Sequence, residues 1–230
     1  MRLIKPSHRI LTGIDQRLIL ARIEATGRTA YKSEARITKD SAEQFVRRLI
    51  IHGHESVLEH EQISVRFICD RGGTHELVRH RLAAYTQEST RYCNYSGGVT
   101  FIIPPWVDID PDEYNVVWDG VVGRDIRATK GGRVPPYYDD AASWWFWHMA
   151  VAERDYRKLL ECGWTPQQAR SVLPNSLKTE IIMTANLREW RHVLRLRTAS
   201  DAHPQMREIM IPLLREFHQR IPVLFDDIAA

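Results

Sequence analysis

The chain has 230 residues, 43% of them apolar and 27% charged, and a formal net charge of +3. That profile fits a globular protein with one sizeable core and excludes a low-complexity or disordered chain. So small a positive charge does not argue for coating nucleic acid, but it leaves room for a local basic pocket.

Residues 1–30 read as a first strand or two and a helix around Gln16 to Ala25. Ser41-Ala42-Glu43-Gln44 has the form of a capping box, with Ser41 as N-cap and Gln44 at N3. The helix that follows is expected to bury Phe45, Val46, Leu49 and Ile50, and Gly53 stands where a C-terminal glycine cap belongs. His54 to His60 is a short connector. Ile63, Val65, Phe67 and Cys69 then alternate with Ser64, Arg66 and Asp70 as a half-buried strand. Gly72-Gly73 breaks that strand, and a helix is predicted from Thr74 to Tyr85, followed by a polar loop with Thr86, Gln87, Ser89 and Thr90. On such a helix Glu76, Arg79 and His80 fall at i, i+3 and i+4 and share a face.

Val99 to Ile103 reads as another strand, ended by Pro104-Pro105. Residues 104–137 are rich in Asp, Gly and Pro and are expected as an insertion or lid. Asp140 to Cys162 is a long helix whose Trp144, Trp145, Trp147 and Tyr156 suit a core or a subunit interface. Thr165-Pro166-Gln167-Gln168 caps a short helix, with Arg170 early in it. Leu177, Thr179, Ile181 and Met183 alternate with polar residues as a strand, and Asn186 caps the next helix. That helix has a polar face of Arg188, Arg191, His192 and Arg195, and an apolar one of Leu187, Trp190, Val193 and Leu194. Arg197 extends the apolar stripe, where a guanidinium is costly unless partnered, so it is either structurally paired or reaches a ligand. A last helix, about Pro204 to Arg220, carries Met206, Ile209, Met210, Leu213 and Phe217. The whole reads as a single α+β domain, 1–230, with a mixed or antiparallel sheet flanked by helices.

Cys69, Cys93 and Cys162 show no paired spacing, which suggests free thiols and a cytoplasmic protein. No run has the length of a membrane span, and the N-terminus lacks a secretory pattern. The densest chemistry lies between Arg79 and Tyr92, where Arg79, His80, Arg81 and Arg91 surround hydroxyl and amide groups. Such a cluster suits planar, doubly hydrogen-bonded anions, phosphate or carboxylate, although a solvated basic face would also account for it. No GxGxxG or Walker pattern occurs, so a nucleotide cofactor would not rest on a Rossmann or P-loop cradle. His52, His54 and His60 hint at a metal-dependent hydrolase, but no second cluster completes a tetrahedral set, and no metal is expected. A non-catalytic nucleotide- or RNA-binding module using the arginines is a further alternative.

Arg79-His80-Arg81, seven residues and then Ser89 resembles the RHR-x7-S signature of the flavin-dependent thymidylate synthases, and the likeness runs on through Thr90-Arg91-Tyr92. Gly53-His54-Glu55-Ser56-Val57-Leu58-Glu59-His60 and Asn186-Leu187-Arg188-Glu189-Trp190-Arg191-His192 resemble that family in the same order, so the similarity covers about Gly27 to Ile228. The resemblance implies reductive C5-methylation of dUMP to dTMP, with methylenetetrahydrofolate as carbon donor and NADPH-reduced FAD as hydride source. It implies no cysteine nucleophile, so Cys93 reads as packing. It also implies a homotetramer with shared active sites, and neither a nucleic-acid nor a membrane partner.

Carried over by position, FAD contacts are expected from Ser56, Glu59, Arg79, His80, Arg81, Gln87, Asn186, Arg188 and His192, with His80 near the flavin ring. Nucleotide contacts are expected from Glu76, Arg79, Gln87, Glu88, Ser89, Arg91, Arg170 and Arg197. Ser89 and Arg91 would lie at the phosphate and Arg197 at the pyrimidine, and the catalytic residues would be Arg197, Ser89 and His80. The chain departs from the family pattern at Thr74, Ala84 and Thr86, where Ser, Ser, and Ser or Asn are usual. These positions flank the nucleotide motif and open an alternative, methylation of UMP as in a branch of the family from nucleoside-antibiotic pathways. Ala84 in place of Ser could leave space for a ribose 2′-hydroxyl.

Overall fold

The structure, a computed structural model, describes residues 1–229, with Arg124 by its backbone alone. Strands β1 (Arg2–Ile4) and β2 (Ser7–Ile10) precede helix α1 (Gln16–Thr29), where Asp15 accepts the first-turn amide of Leu18. Helix α2 (Ser41–Ile51) leads through a 3-10 segment, Glu55–His60, to strand β3 (Gln62–Asp70). Helix α3 (Arg71–Leu77) and strand β4 (Ala83–Gln87) come next, then β5 (Thr100–Ile102) and a hairpin of β6 (Tyr114–Asp119) and β7 (Val122–Ala128). Helices α4 (Ala141–Glu161) and α5 (Pro166–Ala169), strand β8 (Lys178–Asn186), and helices α6 (Leu187–Thr198), α7 (Pro204–Arg220) and α8 (Pro222–Phe225) follow. One sheet has the order β2-β3-β8-β4, β1 pairs with β5 in parallel, and β6 pairs with β7 antiparallel. The class is α+β, as expected. No helix among the described residues is long and apolar enough to cross a membrane.

The chain forms two compact units. Unit 1 comprises Met1–Ser7, Ile68–Glu76 and Gln87–Ile181, and unit 2 comprises His8–Phe67, Leu77–Thr86 and Ile182–Ala230. In unit 1, Leu3, Phe101, Tyr114, Phe146, Trp147 and Tyr156 meet in one core. Helix α4 feeds that core because its apolar residues recur at helical spacing and its start is pinned. The Asp140 carboxylate accepts from the Ser143 amide at 2.7 Å, and the Ser143 hydroxyl accepts from the Asp140 amide at 2.8 Å. Trp147 lies in the core as expected, whereas Trp144 is 51% exposed. Residues 104–137, expected as an insertion or lid, hold the hairpin, and Val107, Ile109 and Tyr114 root them in the core. In unit 2, the Asn186 side chain accepts from the Glu189 amide at 2.8 Å and starts α6. The Trp190 indole, wholly buried, donates to the Ile63 carbonyl at 2.9 Å. Helix α7 buries Met206, Ile209, Met210, Leu213 and Phe217, the stripe read from its spacing.

Two expectations need correction. Ser41 is the first residue of α2 rather than its cap, because its hydroxyl is engaged with Thr38 and with Glu24 at 2.8 Å; of the expected stripe, only Val46 is fully buried. The larger correction concerns the basic motif. The predicted Thr74–Tyr85 helix stops at Leu77, and Ala83–Gln87 is strand β4, so Thr86 and Gln87 belong to a strand rather than a loop. Gly72 and Gly73 do not precede the helix but form its first turn. Asp70 Oδ1 accepts from the Gly73 amide at 2.6 Å, and a Cβ on Gly72 would meet that oxygen at 3.0 Å. Glu76, Arg79 and His80 therefore share no helix face. The Tyr85 hydroxyl donates toward the Leu77 and His80 carbonyls, at 2.7 and 2.9 Å, and ties the turn that carries Arg79-His80-Arg81. Along β4, Ala84 and Thr86 are exposed and alternate with half-buried Tyr85 and Gln87.

Candidate active site

In unit 2 the centre of the motif is His80, which is 4% exposed, while Arg79 and Arg81 on either side of it are exposed. Arg197 on α6 donates Nε–H to His80 Nε2 at 3.0 Å. An accepting Nε2 places the ring proton on Nδ1, which faces Glu189 Oε1 at 3.5 Å. His192 meets the His80 ring edge-on, with centroids 5.9 Å apart. Burial pushes the Glu189 carboxyl above its ordinary value, and the nearby His192 acts in the opposite direction. A guanidinium can only donate, so the His80 imidazole that accepts from Arg197 is the neutral form.

Arg191, expected on the polar face of α6, is fully buried instead. It donates to Glu55 at 3.1 Å, to both oxygens of Asp227 at 2.8 and 2.7 Å, and to the Leu224 carbonyl. Burial would raise the Asp227 carboxyl, but the hydrogen bonds from Arg191 and Arg195 outweigh it and hold the group below the usual range. Arg188 pairs with Glu59 at 2.6 Å.

A cavity of about 520 Å³ in unit 2 is lined by Glu59, Asn186, Arg188 and His192, all expected at FAD, and also by Glu55, Leu82, Glu189 and Arg195. Its size suits a small-ligand site. Guanidinium and imidazole donors at the start of α6 fit the pyrophosphate of a dinucleotide, because a helix N-terminus favours an anion. These residues fit a flavin dinucleotide; Ser56, Arg79 and Arg81 do not line the cavity. A larger cavity, about 640 Å³, lies in unit 1 beside Trp118 and Arg154, and none of the residues expected to do chemistry lines it.

In unit 1 the loop after β4 carries the remaining groups. Ser89 Oγ accepts from the Arg91 amide at 3.3 Å. Exposed Arg91 donates to Gln167 Oε1 at 3.0 Å and lies over the Tyr92 ring; exposed Arg170 donates to Thr90 Oγ1, also at 3.0 Å. Two guanidiniums held by neutral partners around a serine loop can receive a phosphate. Glu88 is engaged on both oxygens, by the Tyr95 hydroxyl at 2.8 Å and by Lys178 Nζ at 2.9 Å. Burial lowers the Lys178 ammonium, but hydrogen bonds to Glu180 and Glu88 prevail and hold it above the ordinary lysine value. Gln87 bonds Thr74 and Thr179, and Glu76 is half-buried on α3. Burial pushes the Cys69 thiol up to about 12, which keeps it unreactive. Half-buried Cys93 donates its amide to the Ser89 carbonyl at 2.9 Å.

The residues missed from sequence are Glu189, Tyr85, Lys178 and Thr179. Glu189 reads only as helix N3, and alternation alone marks Thr179 as inward without naming its partner. Among the described residues, the His/Cys/Asp/Glu group close enough to share an ion is His80, Glu189 and His192, within 4.8 Å, and not the His52–His60 stretch. Arg197 already donates to His80 Nε2, and a guanidinium there repels a dication. The His52 ring instead bonds the Arg48 carbonyl at 2.8 Å.

The family model described as thymidylate synthase complementing protein, Thy1, matches residues 18–223. The flavin-dependent thymidylate synthase of Pyrococcus furiosus is 31% identical over 204 residues, 87% of this chain and 72% of that protein. The chain belongs to the flavin-dependent thymidylate synthase family. The Mycobacterium avium member is 32% identical over 213 residues, 90% of this chain and 78% of its own length. Crystal structures of a UMP/dUMP methylase, PolB from Streptomyces cacaoi, share the fold. The one bound with 5-Br UMP has a TM-score of 0.72 at 20% identity, covering 98% of this chain and 95% of that one. The 5-Br dUMP complex has a TM-score of 0.71 at 22% identity, covering 98% and 96%. As a flavin-dependent thymidylate synthase, the chain is a flavin-dependent enzyme of the methyltransferase type, which sets aside the non-catalytic module and the metal-dependent hydrolase.

Proposed function

We propose that this enzyme reductively methylates C5 of a uridylate, dUMP to dTMP, with methylenetetrahydrofolate as carbon donor. Residues 1–230 act as one thymidylate synthase-like domain, with 104–137 as an insertion or lid, in a homotetramer that shares active sites. The observation that carries this reading is the coincidence of the family match over residues 18–223 with two basic sites of the right donor chemistry. Turning the transferred methylene into a methyl takes two electrons, which bound FAD, reduced by NADPH, supplies as a hydride.

The chain's own groups do the rest. Asn186, Arg188 and His192 would hold the cofactor in the cavity at the start of α6, with His80 as a further contact. Ser56, Glu59, Arg79, Arg81 and Gln87 complete its contacts. Ser89, Arg91 and Arg170 bind the nucleotide phosphate; Glu76, Arg79, Gln87 and Glu88 position the rest. The Arg197 guanidinium stabilises the negative charge that develops on the uracil N3 and O4 as C5 becomes nucleophilic. No thiolate is needed, in keeping with the buried, unreactive Cys69.

UMP is the second substrate reading. PolB, which shares this fold, is named a methylase of both UMP and dUMP. Ala84, on the exposed face of β4, supports this reading less than its identity suggested. The test is the visible spectrum of the FAD-reconstituted protein, followed by turnover of dUMP and of UMP with folate and NADPH. A yellow protein that forms thymidylate supports the reading. A colourless protein that stays inert after flavin is added back overturns it, and no activity on UMP removes the alternative.

A further inference from the structure

Gln87 ends β4 with its carboxamide held from two sides. Its amide nitrogen lies 3.1 Å from Thr74 Oγ1 and 3.2 Å from Thr179 Oγ1. Both threonines are 1% exposed, one on α3 and the other on β8. Thr74 decides which end of the carboxamide faces them. Its single hydroxyl proton goes to the Arg71 carbonyl at 2.9 Å, so it can offer Gln87 only a lone pair. The group facing it must be an N–H donor. One amide proton goes to Thr74 and the other to Thr179, and the carboxamide oxygen turns away from both. Half-buried Gln87 shows no hydrogen bond to that oxygen among the described residues, nor does the oxygen count among the buried unpartnered atoms.

An unconstrained glutamine can flip and present either a donor or an acceptor. This one cannot flip without setting its oxygen against the Thr74 lone pairs. A site with a fixed acceptor prefers a ligand that brings a donor, because a ligand lacking one leaves the acceptor unpaired. Resting on the uridylate reading above, we propose that Thr74 and Thr179 are specificity-determining positioning residues. They hold the Gln87 carboxamide oxygen as the acceptor for a donor of the bound uridylate, either a sugar hydroxyl or the uracil N3–H. Thr74 is one of the positions where this chain departs from its family's usual serine, and Thr179 carries no chemistry in the sequence pattern.

The test measures equilibrium binding to the FAD-loaded full chain of UMP, dUMP, 2′,3′-dideoxy-UMP and N3-methyl-dUMP. The wild type is expected to prefer a donor-bearing ligand over the analogue lacking that donor by about tenfold or more. Which analogue suffers tells the sugar hydroxyl from the N3–H. Thr74→Val and Thr179→Val keep the side-chain shape and remove the acceptor, so each is expected to collapse that preference to within about twofold. Affinity for the donor-lacking analogue stays as in the wild type, and Thr74→Ser and Thr179→Ser restore the preference. Using two positions guards against one valine variant failing to fold. If the wild type binds uridylates and the valine variants keep its order of preference, or weaken every ligand equally, the proposal is overturned. If the flavin-loaded wild type binds no uridylate at all, the functional reading fails and the proposal falls with it.

Discussion

Unit 1 and unit 2 place the same guanidinium group in opposite settings. Arg191 in unit 2 is fully buried and surrounded by Glu55, Asp227 and a backbone carbonyl, so its charge is neutralised within the fold. Arg91 and Arg170 in unit 1 are exposed and held by an amide and a hydroxyl, partners that orient a guanidinium without cancelling it. Arg197 lies between these cases, half-buried on a neutral imidazole. The lesson is that burial and partner together, and not the arginine alone, separate a structural cation such as Arg191 from an exposed one such as Arg91, or Arg188 on the exposed Glu59 carboxylate, that an anion can still reach.

Breaking the buried case should have the largest effect. Arg191→Met leaves the Leu224 carbonyl unpaired and the Glu55 and Asp227 carboxylates with Arg195 alone, and is expected to cost about 1.5–3 kcal/mol in urea unfolding. A loss below about 1 kcal/mol would place Arg191 with the exposed group. Arg197→Ala comes next: the fold and the flavin spectrum persist, while single-turnover methylation falls by about 10²-fold or more. Turnover within a few fold of wild type would remove Arg197 from the chemistry. Arg91→Ala and Arg170→Ala sharpen the exposed case. Each is expected to shift stability by less than about 0.5 kcal/mol. Titration should show each weakening uridylate about tenfold, the worth of a lost charge-assisted hydrogen bond; undiminished affinity would show that neither meets the phosphate.

The smallest effect concerns Glu189, whose carboxyl burial raises above 4.5. Between that value and the raised one, the folded chain keeps a proton that the unfolded chain has released. Its stability contribution is therefore present below 4.5 and declines as pH climbs through the raised value. Glu189→Gln lacks this titration, so the melting temperature of the wild type should drop relative to the variant as pH rises through the interval. A constant difference would mean that Glu189 ionises alike in both states.

Much of the fold was legible in the sequence where the information is local. Asp140 and Asn186 announce α4 and α6, the spacing of Met206 to Phe217 announces α7, and alternation marks β3 and β8. The basic motif was harder, because Leu77 to Ala84 has helix-forming residues at helical spacing, yet Ala83–Gln87 pairs with β8 far along the chain. Pairing across that distance overrides local preference. The residue types of the site were legible, but their division into structural and available groups was not: Arg188, Arg191 and Arg195 read as one polar face, and burial removes Arg191 from it.

By itself the sequence determined the periodic elements, their caps and the family, since periodicity, capping and signature spacing are properties of neighbouring residues. Only the tertiary structure decided where the motif helix stops, which guanidinium is neutralised and which way Gln87 turns. Each of those depends on a partner, β8, Asp227 or Thr179, that the chain brings close only by folding.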